Sequence, residues 1–378
     1  MNMPKKIPLF EIYHDDEDID AVKRIIERGS FWAEGPEIAE FEDRLAQYIG
    51  ADHAVVFNNG TSALHAMLLA YGIGPGHEVI VPSFTFISTA NSVLFTGASP
   101  VFGDIERETC GLDALDIARR ITRRTKAIMP IHYAGHPCQI KAIQDLAHDK
   151  KLLLFEDAAE SLGSKYRGKM VGSFGDASMF SFCQNKIITT GEGGAITTND
   201  AAIAKKLRLI RSHGRSQGDY FNSSGSPDYT ALGYNFRIPT MCAALGISQL
   251  AKIEKIIKAR RALAERYRKA FSKIPGIGLP NELKGCRHVY QLYSILMETH
   301  EMQKGLKSHL GGKGIMSKVY FDPVHLSKHY LDLAGAKTAK LPVTEVVSAR
   351  ILTLPLFPGI GAGQFDRIID AIQEYVGE

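Results

Sequence analysis

Between residues 50 and 200 the chain alternates short apolar runs with stretches of helical spacing. The runs HAVVFN (53–58), HEVIVPSF (77–84), KAIMPIHY (126–133), KLLLFED (151–157), ASMFSFC (177–183) and GAITTN (194–199) are nearly continuous in apolar residues. That pattern predicts strands buried on both faces. The segments between them place apolar residues three and four apart. In TSALHAMLLAYGI, Leu64 and Leu68 share a side with Ala63 and Met67, and Gly72 ends the helix. Strands and helices in alternation predict β-α-β units, an α/β fold with a mostly parallel central sheet covered by helices.

From Ser212 to Ile238 the periodicity is lost in SHGRSQGDYFNSSGSPDYTALGYNFRI. Loops of this length inside compact proteins are functional or disordered, and Tyr229, Tyr234 and Phe236 are poor choices for a solvated linker. A long helical stretch follows from Thr240 to Phe271. After PGIGLPNELKG, strand and helix signals resume in VYQLYSILM, EMQKGLKSHLGGKG, IMSKVYF, RILTLPLF and QFDRIIDAIQEYV. The expected organisation is a large domain over residues 1–250, including the N-terminal segment, and a smaller C-terminal α/β domain over 251–378.

A chain of 378 residues exceeds what one hydrophobic core serves, in keeping with two domains. With 45% hydrophobic and 23% charged residues it is neither disordered nor fibrous. A net charge of +4, with no basic cluster beyond ARRITRRTK (118–126), argues against a nucleic-acid partner. Five scattered cysteines without a C-x-x-C pair point to a reducing compartment rather than a disulfide framework. No secretory h-region and no run of 18 apolar residues is present, so a cytoplasmic protein without a membrane partner is expected. HYAGHPC (132–138) and HLSKH (325–329) space histidines as metal sites do, but neither has the accompanying third ligand of a zinc motif, and no metal is expected.

In an open parallel sheet, ligands bind outside the carboxyl ends of the strands. Four such ends carry chemistry. After the first strand, NNGTSALH offers Gly60 for close backbone approach, and the hydroxyls and N–H groups of Thr61 and Ser62 at a helix N-terminus, where a phosphate could bind; simple N-capping accounts for the same residues equally well. Asp157 ends an apolar strand and requires a cationic partner, from the protein or from a ligand. Phe84 and Phe86 follow the second strand and could cover a planar ligand or fill the core. Lys186 precedes the glycines of TTGEGG, the reverse of the phosphate-binding order G-x-x-x-x-G-K-[ST], so it reads as a nucleophile rather than a phosphate clamp. One chemistry needs a lysine, a carboxylate, a phosphate cup and a stacking ring together: that of pyridoxal 5′-phosphate.

Taken in order, NNGTSALH, VPSFTFISTANSV, EDAAES, FSFCQNKIITTGEGG and GYNFRI resemble the DegT/DnrJ/EryC1/StrS sugar aminotransferases, which have the type I fold of pyridoxal-phosphate-dependent transferases. The resemblance runs from GSFWAEGPEIAEFE near residue 30 to VYFDPVH near 320. It implies that Lys186 takes the cofactor's aldehyde and shuttles protons, and that Asp157 pairs with the ring nitrogen. It further implies that Phe86 stacks on the ring, that Gly60, Thr61, Ser62 and Ser181 hold the phosphate, and that Asn235 reaches the phosphate of a neighbouring subunit in a homodimer with shared active sites. Glu160 stands where Gln or His is commoner beside the ring oxygen; an ionised Glu can only accept hydrogen bonds and would face a phenolate poorly without a proton. The EDAAES form is shared with perosamine-synthase-like members. Trp32, Arg237 and His325 are candidate substrate contacts, although Phe321 and Asp322 interrupt the family's Y-x-P-x-H spacing before His325.

The implied reaction is ping-pong. L-Glutamate converts the cofactor to pyridoxamine 5′-phosphate, which then aminates a nucleotide-linked keto-sugar for surface-polysaccharide biosynthesis. TTGEGG resembles the version in enzymes acting at C-4 of 4-keto-6-deoxy sugars, with a GDP-4-keto-6-deoxymannose-like substrate favoured over amination at C-3 or a UDP- or dTDP-sugar. A sugar dehydratase of this family carries histidine in place of the lysine that this chain keeps. A non-catalytic regulator would have lost Lys186 or Asp157, or gained a DNA-reading helix.

Overall fold

The computed structural model describes residues 6–216, 228–334 and 338–377. Seven strands build the central sheet: β1 (His53–Phe57), β2 (Glu78–Pro82), β3 (Ser99–Gly103), β4 (Thr125–Ile128), β5 (Leu153–Asp157) and, after a hairpin of β6 (Lys165–Tyr166) and β7 (Lys169–Met170), β8 (Ala177–Ser181) and β9 (Gly194–Thr198). Their order is β1-β9-β8-β5-β4-β2-β3. Strands β8, β5, β4, β2 and β3 pair in parallel, while β9 runs antiparallel to both β8 and β1. The carboxyl ends of β1, β2, β4, β5 and β8 therefore share one edge.

Strand β3, SPVFG, was not among the expected strands. It lies at the edge of the sheet, where proline is tolerated and side chains stay half-exposed, so it lacks the apolar run of its central neighbours. Inside the sheet the pleat divides each strand between two cores. Val55 and Phe57 face the helices Gly60–Ala70 and Ala201–Arg211, while Ala54 and Val56 face Pro36–Ile49 and Thr240–Ala251. Apolar contacts on both faces explain why these strands read as continuous apolar runs.

The helical stretch from Thr240 breaks at Lys252 into Thr240–Ala251 and Ile253–Phe271. The Lys252 ammonium, with its side chain 7% exposed, turns inward to Asp15 and to Asp18 at 3.1 Å, and so ties the helix Asp16–Arg28 to the break. Farther on, β10 (Ile277–Gly278), β12 (Tyr293–Met297) and β13 (Ile351–Leu354) form a second, antiparallel sheet, while β11 (Cys286–Arg287) pairs with β6. This sheet has its own core, in which Tyr267, Tyr293, Phe365 and Ile368 are buried and which Ile7 joins. IMSKVYF makes only isolated bridges, Ile7 to Ile315 and Lys318 to Thr353.

The centre of the long loop, 217–227, lies outside the described residues. Its end is packed: Tyr234 and Phe236 stack 4.7 Å apart beside His65, and the Asn58 N–H donates to the Phe236 carbonyl at 2.8 Å. No described helix is long and apolar enough to cross a membrane.

Candidate active site

At the carboxyl edge of the sheet lies a cavity of about 1160 Å³. Eight residues singled out from the sequence line it: Gly60, Thr61, Ser62, Phe86, Asp157, Glu160, Ser181 and Lys186. They come from the ends of β1, β2, β5 and β8.

The turn after β1 lies close against its neighbours. Asn59 caps the helix Gly60–Ala70 by accepting from the Ser62 N–H at 2.7 Å, so Asn59 does the capping and the residues after it, Gly60, Thr61 and Ser62, line the cavity. A Cβ at Gly60 would sit 3.3 Å from Met179 and Ser181, and one at Gly194 would lie 2.7 Å from the Asn59 carbonyl. Gly194, the last glycine of TTGEGG, thus lets β9 pass beneath the turn, and Gly191 supplies the positive φ of 82° needed to enter it. The Thr61 hydroxyl bonds Ser88 Oγ at 2.8 Å, which brings a second helix start, Ser88–Phe95, to the same wall. Ser88 was missed in the sequence; its signal was a hydroxyl two positions after Phe86.

Asp157 ends β5 at 6% exposure. It accepts from Thr89 Oγ1 at 2.8 Å and from the Ala159 N–H at 3.2 Å. Burial still raises its pKa above the ordinary value, more than those bonds and the nearby Lys186 charge lower it. A cation facing this carboxylate would relieve that cost. Phe86 is 61% exposed and presents an uncovered ring to the cavity.

Lys186 sits on the connection after β8, anchored by Phe182, Ile187 and Ile188 in the core between the sheet and the helices Pro36–Ile49 and Thr240–Ala251. Its side chain is 15% exposed, and Nζ lies 3.5 Å from Glu160 Oε1. The other Glu160 oxygen accepts from the Ala134 N–H at 2.8 Å, and Ala134 holds a left-handed φ of 57°.

His132, from HYAGHPC, also lines the cavity, and its ring is fully engaged. Its Nδ1 accepts from the Cys138 N–H at 3.1 Å, so Nε2–H donates to Glu156 at 3.0 Å. Glu156, fully buried, accepts in addition from the N–H groups of Gly172, Phe174 and Gly175 and from Ser178 Oγ. Burial alone would raise its pKa, but the bonds from His132 and the backbone outweigh it and hold the carboxyl below its ordinary value. Stability from Glu156 is accordingly present above the ordinary carboxylate range and lost as pH falls through the lowered folded value. A Glu156→Ala variant is expected to lose about 3–5 kcal/mol, because the polar groups around it are left buried and unpaired. Urea denaturation at neutral pH measures this, and the difference from wild type should shrink on acidification.

His136 is equally occupied, by the Pro137 carbonyl and the Leu283 N–H. Among the described residues no three His, Cys, Asp or Glu side chains are grouped so as to hold a metal ion.

Four candidates do not line this chain's own cavity: Trp32, Asn235, Arg237 and His325. Trp32 donates its indole N–H to the Ile25 carbonyl at 3.1 Å, and Arg237 lies 3.5 Å from Glu34. Asn235 bridges to Ser212. His325 is 2% exposed and pairs with Ser83 at 2.6 Å; it pins the segment after Tyr320, several of whose residues do line the cavity, to the end of β2.

A sequence model of the DegT/DnrJ/EryC1/StrS aminotransferase family matches residues 13–373. GDP-perosamine synthase of Caulobacter vibrioides is 40% identical over 348 residues, which cover 90% of each chain. Among solved structures, Helicobacter pylori PseC, an aminotransferase involved in the biosynthesis of pseudoaminic acid, superposes with a TM-score of 0.93 at 31% identity, covering 99% of this chain and 100% of its own. Streptococcus pneumoniae Spr1654, solved in its PLP form, superposes with a TM-score of 0.92 at 26% identity, covering 98% of this chain and 99% of its own.

Proposed function

The chain belongs to the DegT/DnrJ/EryC1/StrS aminotransferase family, and from that premise we propose that it transfers the amino group of L-glutamate to C-4 of a nucleotide-linked 4-keto-6-deoxy sugar, with a GDP-4-keto-6-deoxymannose-like substrate favoured. The observation that carries the choice of sugar is the 40% identity with a GDP-perosamine synthase across 90% of both chains.

The family depends on pyridoxal 5′-phosphate, and the residues at the sheet edge fit it. The buried Asp157 carboxylate is short of a cation, Phe86 offers an uncovered ring, and hydroxyls gather at a helix start. In this reading Gly60, Thr61, Ser62 and Ser181 hold the phosphate, Phe86 lies on the ring, Asp157 faces the ring nitrogen, Glu160 stands beside the ring oxygen and Lys186 bonds the aldehyde carbon. When bound, the cofactor supplies the electron sink that makes a C–H bond next to an amino group acidic, and it carries that amino group between substrates.

Proton movement falls to Lys186. Its Nζ removes the α-proton of glutamate in one half-reaction and delivers a proton to the sugar carbon in the other. Glu160 Oε1, 3.5 Å away, holds the ammonium in place beforehand, and the Ala134 N–H fixes the opposite carboxylate oxygen. Facing the ring oxygen requires a proton on Glu160 Oε1. The proposal extends to a homodimer in which Asn235, and with it Trp32 and Arg237, serves the partner's site. Their position off this chain's cavity supports that, as do the exposed Tyr229 and Leu232 in the same loop. Five unpaired cysteines suit a cytoplasmic setting.

The purified protein with pyridoxal 5′-phosphate is expected to show the absorption band of a lysine-bound cofactor and to lose it on addition of L-glutamate. The glutamate-treated protein then regenerates the band with the right keto-sugar from a panel of GDP-, UDP- and dTDP-linked 3- and 4-keto sugars. A protein that stays colourless with added cofactor sinks the proposal; a response confined to a 3-keto or UDP-linked sugar redirects it.

A further inference from the structure

The peptide unit joining Asn185 to Lys186 is clamped at both ends. On one side the Lys186 N–H donates to the Cys183 carbonyl at 2.9 Å. On the other, the carbonyl oxygen of Asn185 accepts from Nε2 of Gln291, a side chain only 3% exposed and supplied from more than a hundred residues farther along the chain. Because a peptide unit is planar, fixing its N–H and its C=O fixes the plane on one side of the Lys186 Cα, and the buried Ile187 holds the other side, so that together they set the direction in which the Lys186 side chain leaves the backbone.

Gln291 is itself held. The guanidinium of Arg260, 3% exposed, donates through Nη1 to the carbonyls of Tyr290 at 3.1 Å, Gln291 at 3.2 Å and Leu356 at 3.1 Å. None of its partners among the described residues is a carboxylate. A buried cation without a counter-charge is costly where an apolar side chain would pack the same space, so its place against the 290–291 carbonyls calls for a role. Asn185, Lys186 and Tyr320 all line the cavity. Arg260, Gln291 and Asn185 thus form a continuous line from the helix Ile253–Phe271 to Lys186.

We propose that Gln291 is a positioning residue for Lys186: through the Asn185 carbonyl it sets the approach of Nζ to a carbonyl carbon in the cavity, and so the rate of bond formation and proton transfer there. This rests on Lys186 being the cofactor-bonding lysine. Gln291 does not itself line the cavity, so its loss acts on the lysine and leaves the phosphate and ring contacts intact.

The test separates retention of cofactor from reaction of the lysine. Apoprotein of the wild type, of Gln291→Met, which keeps the volume without the donor, and of Gln291→Asn, which keeps the amide but is one methylene short, is mixed with pyridoxal 5′-phosphate. Equilibrium dialysis gives total binding, the rise of the lysine-bound absorption band gives the rate of bond formation, and the glutamate half-reaction gives kcat and KM. In both variants the bond-forming rate and kcat are expected to fall on the order of ten- to a hundredfold, with dissociation constant and glutamate KM changed less than about threefold. A folded Met or Asn variant with wild-type rates overturns the proposal, and either variant suffices if the other does not fold. Equal losses of retention and rate mark a merely structural role and overturn it too. A wild type that forms no lysine-bound cofactor removes the reading of Lys186 and this proposal together; a normal wild type with unaffected variants removes this proposal alone.

Discussion

Replacing Lys186 by alanine is expected to leave a folded protein that binds pyridoxal 5′-phosphate but converts glutamate at least about 10⁴-fold more slowly, since one Nζ serves as both nucleophile and proton carrier. The expectation follows from the surroundings of the lysine. Its backbone is held by the buried Phe182, Ile187 and Ile188 and does not depend on Nζ for its place. Glu160, the carboxylate 3.5 Å from Nζ, already has one oxygen committed to the Ala134 N–H. Removing Nζ leaves Glu160 and Asp157, both under 10% exposed, without their nearest positive charge, so the empty site of the variant should be less stable than that of the wild type and regain more on binding a cationic ring. Single-turnover absorbance with L-glutamate and equilibrium dialysis with the cofactor separate the two effects. A rate above about a tenth of wild type, against the losses general-base removal ordinarily brings, would place the proton transfer on another residue.

Asp157→Asn is expected to be the second most damaging change, lowering turnover about 10²–10³-fold, because a neutral amide does not balance charge developing at the ring nitrogen. Shape is preserved: the Asn oxygen can still accept from the Ala159 N–H, while the NH2 that replaces the other carboxylate oxygen must donate to Thr89 Oγ1 instead of accepting from it. A pH signature accompanies the loss. Burial raises the Asp157 pKa in the folded protein without cofactor, so the folded state holds this proton more tightly than the unfolded chain. The associated stability is present at low pH and declines as pH rises from the ordinary carboxylate range to the raised folded value. A cationic partner reverses that preference. The rise in Tm produced by saturating cofactor should therefore grow with pH across this window in the wild type and stay flat in Asp157→Asn. A variant with wild-type turnover and the same pH-dependent rise in Tm would remove the charge pairing from the account.

Six of the seven strands in the central sheet were legible because they are buried on both faces and their apolar runs are uninterrupted. β3 was not, since an edge strand needs no such run. The break at Lys252 was equally invisible: the residues on either side favour helix, and what ends it is an ammonium drawn to Asp15 and Asp18, which lie more than two hundred residues away in sequence. At the site, residue types at the strand ends signalled the cavity wall correctly, whereas the duties of His132, Ser88 and Gln291 depend on partners that no local pattern names. His132 shares with His136 and Cys138 a spacing that metal sites also show, from which no metal was expected, and no local pattern names the buried Glu156 carboxylate that its ring meets.

By itself the sequence determined the alternation of strand and helix, the order of chemical groups at the strand ends and the family to which the chain belongs, because those properties reside in periodicity and in contiguous motifs. The tertiary structure alone decided that β9 inserts antiparallel between β1 and β8, with Gly194 slipping under the helix start that faces Lys186. It decided that Glu160 reaches Lys186, that His325 turns inward to Ser83 rather than into the cavity, and that Trp32, Asn235 and Arg237 stand away from it. Each of these is a contact between segments far apart in the chain, and its existence depends on how the whole sheet closes. Local propensity sets which element a residue occupies; only the packing of elements sets which side chain it meets.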